Sequence, residues 1–196
     1  LCAGQVGQLL NLSALGIELG ISHNTIKSWI SILEASFIIF LLQPHHKNFR
    51  KRLIKMPKLY FWDTGLVCSL LNLQNENQLS THYSKGSLFE NFVVSELMKN
   101  AYNQGKDPAL FFWRDAAGHE VDIIMDEGGE LTPIEIKSGV TAHQDFTANL
   151  RYWNHLAKLS KPRGAVVYAG NKSQKRIVSA TNFPFVSWKE LELATR

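Results

Sequence analysis

The sequence predicts a mixed α/β protein (α+β in layout) in two parts, a helix-turn-helix region over residues 1–80 and a mixed-sheet region over residues 81–196. Three observations carry this expectation. Apolar residues recur with helical spacing over residues 1–35. Beyond residue 87 the pattern runs helix, hairpin, strand, helix, strand. Between them the polar stretch Asn72-Leu73-Gln74-Asn75-Glu76-Asn77-Gln78 breaks both patterns.

Composition sets the outer bounds. The chain has 196 residues, 45% hydrophobic and 19% charged, which is enough for real cores and speaks against disorder. The formal net charge is +4, a balance that suits a phosphate-bearing partner. Residues 1–80 carry seven Lys/Arg against four Asp/Glu, and six of those cations fall within His45–Lys58. Cys2 and Cys68 lie far apart and no Cys/His cluster has zinc spacing, so the expected compartment is the reducing cytoplasm. The longest apolar run, Phe37–Leu42, is far too short for a spanning helix, and no membrane partner is expected.

In the first part, Leu15, Gly16, Leu19, Gly20, Ile21, Ile26 and Trp29 have helix-turn-helix spacing. Gly16 permits close helix approach, Gly20 takes the left-handed turn, and Ser22 caps the second helix. Ile26, Trp29, Ile30 and Leu33 form the expected buried stripe. That leaves His23, Asn24, Lys27 and Ser28 outward, where a recognition helix meets a major groove. With one cation on that face, the helix serves equally well as a protein contact. Phe37–Leu42 is expected to be the first wing strand, residues 58–62 a second strand and 65–72 a short helix. The run Lys47-Asn48-Phe49-Arg50-Lys51-Arg52, with Lys55 and Lys58, is the stronger electrostatic candidate for DNA. Four phosphate contacts there would give a log–log salt slope of roughly −4. A solvated hairpin or an acidic partner domain would use the same charges.

In the second part the pattern predicts helix 87–101, strands near 110–114, 120–125 and 132–137, helix 144–159 and a strand near 164–168. A last short strand and helix follow. Asp122 and the later Glu135-Ile136-Lys137 are the chemical signal. Hydrolysis of a phosphodiester needs a divalent cation, Mg²⁺ by preference, held by a few carboxylates. Asp122 and Glu135 are the expected metal ligands. Strand alternation puts Lys137 on the face of Glu135, where it orients water or offsets charge. The turn Asp126-Glu127-Gly128-Gly129-Glu130 joins the two strands. Glu90 falls in the middle of an apolar arc of Phe89, Val93, Val94, Leu97 and Met98, which implies a partner for its charge. A capping box with Ser87 is the competing explanation. Arg114 reads as a phosphate contact or a partner of Glu120, and His119 as a turn residue. Gly164–Ser173 lacks the spacing of a nucleotide-binding loop.

The matching stretches Asn48–Arg52, Lys55–Leu66, Phe89–Val93, Gly118–Asp122 and Pro133–Gly139 make the chain resemble the C-terminal half of a family of bacterial and archaeal AAA-type ATPases. That region is often labelled a domain of unknown function. The resemblance implies a winged helix and a restriction-endonuclease-like core of the PD-(D/E)xK kind. It implies Glu90 as the helical acid, Asp122 as the metal-binding aspartate, and Glu135 and Lys137 as the paired site residues. It also implies an ATP-binding domain that this sequence lacks, which would make the chain a piece of a longer protein. Cleaving and non-cleaving members share such a fold, so DNA cleavage and a docking or ATPase-regulating role both remain open.

Overall fold

The computed structural model describes residues 1–46, 53–174 and 183–194. It shows a mixed α/β fold built on a two-stranded and a five-stranded sheet. Lys47, Arg50, Lys51 and Arg52, the core of the expected basic hairpin, lie outside the described residues.

The first part opens with a short 3-10 turn over Cys2–Gln5, then α1 (Leu12–Leu19) and α2 (His23–Ala35). Residues 1–11 are therefore not the continuous helix the periodicity suggested. The turn between the helices follows the expected chemistry. Gly20 caps α1 at φ +68°, and Ser22 Oγ accepts the Thr25 N–H at 3.1 Å. A Cβ on Gly16 would meet the Ile21 carbonyl oxygen at 2.9 Å, so only glycine permits this approach. Ile26 and Ile30 are buried and Leu33 packs beside them. Trp29 does not join them; it is 51% exposed. The buried stripe of α2 is narrower than its hydrophobicity implied.

Strands β1 (Ile39–Leu42) and β2 (Lys58–Phe61) pair antiparallel. Phe37 is not in the strand: it sits at φ +55° and is 77% exposed. Helix α3 (Thr64–Leu70) starts at Asp63, whose Oδ1 accepts from Gly65 N and Leu66 N. The stretch expected to be a loop contains a further short helix, α4 (Glu76–Thr81). Asn75 caps it by accepting from Gln78 N at 3.0 Å. The cap outweighs the low apolar content of this segment.

Helix α5 (Lys85–Asn103) begins two residues earlier than expected. Ser87 therefore lies within its first turn, and the capping box with Glu90 is not formed. After it come β3 (Leu110–Arg114), β4 (Glu120–Glu127), β5 (Glu130–Lys137), α6 (Ala148–Ala157), β6 (Ala165–Tyr168) and β7 (Phe185–Ser187). The sheet order is β3-β4-β5-β6-β7. The first three strands run antiparallel, and β5-β6 and β6-β7 run parallel. The hairpin joining β4 to β5 turns on Gly128 and Gly129, both at positive φ, with Asp126 Oδ1 accepting from Gly129 N at 2.7 Å.

The sheet is covered on both faces. Val93, Val94 and Leu97 of α5 pack on Ile123, Met125, Ile134, Ile136 and Val167. Leu150 and Trp153 of α6 pack on Val121, Ile124, Leu131 and Val166. Phe40, Leu42 and Tyr60 from the first part share the α5-side core. Asn91, fully buried, fastens β2 to α5: its Oδ1 accepts from Phe61 N at 2.7 Å, and its Nδ2 donates to Phe61 O and Thr64 Oγ1. Asn91→Ala strips partners from two buried backbone groups and is expected to cost about 3 kcal/mol in urea unfolding. A loss under about 1 kcal/mol would mean that water replaces the amide. Among the described residues no helix is long and apolar enough to cross a membrane.

Candidate active site

The site forms where β4 and β5 part. Their register runs from Glu127↔Glu130 to Ile123↔Ile134 and no further, so residues 120–122 and 135–137 diverge into a fork. A bulge sharpens it. Against β3, Phe111 faces Ile124 but Trp113 faces Val121, so β4 carries one extra residue across Asp122-Ile123. Bulges bend a strand and re-aim a side chain. Here the bulge turns Asp122 into the fork, where Oδ2 accepts the Ile136 N–H at 2.8 Å.

Glu135 and Lys137 alternate with Ile134 and Ile136, which are committed to the α5-side core, so both charges project to the opposite face. Glu135 is fully buried. Lys137 Nζ lies 2.6 Å from Glu135 Oε2 and 4.0 Å from Asp122 Oδ2, so one ammonium joins the two carboxylates. The contact to Glu135 is close but misaligned, and neither of its oxygens has a hydrogen bond of good geometry. Burial and the neighbouring Asp122 push the Glu135 carboxyl up to about 8, against the pull of Lys137. For Lys137, burial acts downward, but Asp122 and Glu135 prevail and raise it.

Glu90 reaches the same fork from α5 and is held there by β2. Its Oε1 accepts from Tyr60 Oη at 2.5 Å and from Lys58 Nζ at 2.8 Å. Lys58 also pairs with Glu120, and Glu120 with Arg114 at 3.0 Å. Burial raises the Glu90 carboxyl, Asp122 adds to the rise and Lys58 opposes it. Burial would push Lys58 down, but Glu90 and the other carboxylates hold it well above the ordinary lysine range. Carboxylate oxygens of Glu90, Glu120 and Asp122 lie within 4.8 Å of one another.

Asp122, Glu135, Lys137 and Glu90 thus come together at one place in the fold. Arg114 borders the site through its pair with Glu120. His119 is more than a turn residue: its ring stacks on Tyr152 at 3.9 Å and its Nδ1 lies 3.2 Å from the buried Asp115. His23, Asn24 and Lys27 are exposed on α2 as expected. Lys58 corrects the sequence reading. Assigned to the solvent-facing basic run, it is 2% exposed and belongs to the acid cluster. Tyr60 and Glu120 were missed as site residues. For Tyr60 the alternation Lys58-Leu59-Tyr60 on a strand was the only available signal, since Glu90 is 30 residues away, and Glu120 showed only its pairing with Arg114.

The donor set fits a hard divalent cation. All candidate ligands are carboxylate oxygens, those of Glu90, Glu120 and Asp122 lie close enough to share an ion, and the buried Glu135 is joined to Asp122 through Lys137.

Residues 85–186 match the family described as Domain of unknown function (DUF4143). The chain belongs to that family. Residues 1–77 match a second, described as Domain of unknown function (DUF8612). The fork lies in the DUF4143 part, whereas Lys58 and Tyr60 come from the stretch matching DUF8612. The chain is similar to an uncharacterized protein of Mycobacterium bovis and to one of Mycobacterium tuberculosis. Each is 29% identical over 164 residues, covering 84% of this chain and 35% of the relative. The chain therefore spans about a third of the length of these curated relatives. No solved structure matches it.

Proposed function

We propose that this chain is a DNA-binding module with a Mg²⁺-dependent nuclease site, the C-terminal part of an AAA-type ATPase acting in the cytoplasm. The observation that carries the reading is the fork: Lys137 lies 2.6 Å from Glu135 and 4.0 Å from Asp122, each supplied by a neighbouring strand. A divalent cation held by Asp122 and Glu135 would supply an acidified water and neutralise charge on the phosphate. Lys137 is 32% exposed at its side chain, so its ammonium has room to swing from the carboxylates toward a bound water or phosphate oxygen. Asp122 is held at the fork by the Ile136 N–H. Arg114 at the rim offers a second cation to the backbone.

Further support comes from the order α5-β3-β4-β5-α6-β6, three antiparallel strands followed by a parallel crossover, which suits a restriction-endonuclease-like core. The α1–α2 pair and the β1–β2 hairpin suit a winged helix, with His23, Asn24 and Lys27 on its outer face. Domains of the DUF4143 family typically stand at the C-terminal end of ATPase-containing proteins, which favours the ATPase context.

A second reading, a non-cleaving domain that docks a protein or regulates the ATPase, draws on one observation. On α2, Trp29 and Ile32 are more than half exposed at i, i+3 spacing beside the single cation Lys27. The deciding experiment is nicking of supercoiled plasmid in Mg²⁺ and in EDTA, by the native protein and by Asp122→Asn. Mg²⁺-dependent nicking that falls at least a hundredfold in the variant is expected. Nicking by neither protein would leave the docking reading.

A further inference from the structure

The acid cluster already contains a cation. Glu90, Glu120 and Asp122 offer oxygens within 4.8 Å of one another, the separation at which carboxylates share a divalent ion. Lys58 Nζ contacts two of the three, Glu90 at 2.8 Å and Glu120 more closely still. Its side chain is 3% exposed, against 32% for Lys137. The backbone is pinned as well, because Lys58 pairs with Leu42 across β1–β2 and bridges to Leu9. Its ammonium also lies 5.7 Å from the Phe112 ring. Lys137 can leave its carboxylates for solvent; Lys58 has nowhere to go.

A second divalent ion at Glu90 and Glu120 would have to sit within contact distance of that ammonium, in a site with little water to screen the repulsion. We propose that Lys58 is the site's built-in second cation, filling the Glu90–Glu120 position and leaving a single divalent-ion position at Asp122 and Glu135. The inference rests on the reading that this fork binds a metal. It makes the site a one-ion site whose other positive charge is supplied by β2. It also gives the first part of the chain a chemical role: without β2, Glu90 loses its lysine and Glu120 is left with Arg114.

The test is Mn²⁺ binding at equilibrium, followed by the loss of the free-ion paramagnetic resonance signal. The native protein should bind one ion per chain. Lys58→Ala, which removes the charge and opens space between Glu90 and Glu120, should bind two. Lys58→Arg, which keeps the charge, should return to one. One ion in both the native protein and Lys58→Ala, with affinities within about twofold, would overturn the inference while leaving the metal site intact. No binding by either protein would overturn the metal reading and the inference with it. Should Lys58→Ala not fold, Lys58→Gln decides: it removes the charge in a side chain of similar length and should also bind two ions, and one ion per chain at native affinity would overturn the inference.

Discussion

Plasmid cleavage by the Lys137→Ala protein is expected to fall at least about a hundredfold at saturating Mg²⁺, with the fold retained. A positioned amine acting on an attacking water or on developing charge is typically worth two to four orders of magnitude. Lys137 is the cation best placed for that work, since it touches Glu135, lies 4.0 Å from Asp122 and is still partly open to solvent. The fold should survive because Glu135 has a route to neutrality. With its carboxyl pushed up to about 8 even beside Lys137, Glu135 is mostly protonated at pH 7, and loss of the ammonium raises it further and leaves no bare buried charge. Lys137→Arg keeps the charge but spreads it over a planar group, so it should recover only part of the rate. First-order nicking rates, read beside thermal midpoints, separate chemistry from unfolding. Cleavage at the native rate by Lys137→Ala would remove Lys137 from the mechanism.

The part of this site that was legible in the sequence is the part determined by strand alternation. Glu135 and Lys137 share a face because they stand two positions apart on a strand, and Ile134 and Ile136 reveal which face is core. Asp122 was legible as a residue type but not as a direction. Its aim depends on the bulge across Asp122-Ile123, and no local pattern distinguishes a bulged strand from a regular one. Lys58 was misread because position in a basic run says nothing about long-range partners. The carboxylates that hold it lie 32 and 62 residues away. For Glu90 the apolar arc implied a partner for the charge, which Lys58 and Tyr60 supply, while the competing local explanation, the cap with Ser87, is not formed. Trp29 was placed in the core by periodicity, yet the α1–α2 contact is only wide enough for Ile26 and Ile30. Helix starts followed their caps where the cap was local, at Ser22 and Asp63. At α5 the sequence signal for a Ser87 start was overridden by a helix that begins at Lys85 with no side-chain cap hydrogen bond.

Glu135 should also make the metal-free protein lose stability as pH rises from about 4.5 to 8. In the unfolded chain its carboxyl ionises near 4.5; in the folded protein burial and Asp122 delay that to about 8. Across this window the folded state therefore binds more protons than the unfolded state, and stability must fall with increasing pH. The favourable contribution is complete below pH 4.5 and gone once the folded carboxyl ionises. Its size is on the order of 4 kcal/mol for an isolated group, or about 10 °C in thermal midpoint for a chain of this length. The raised carboxyl of Glu90 pushes the same way. Lys137 does not enter, because a raised lysine keeps its stabilising charge throughout this range. Glu135→Gln fixes the neutral form and should flatten the decline; a native midpoint that is level or rises between pH 5 and 8 would refute the assignment. Divalent cations supply the discriminating control. A cation held at Asp122 and Glu135 favours the ionised carboxylate, so Mg²⁺ should raise the midpoint more at pH 8 than at pH 5. That difference should vanish in Glu135→Gln, where the ligand can no longer ionise, and so links the pH dependence of the fold to the ion position in the fork.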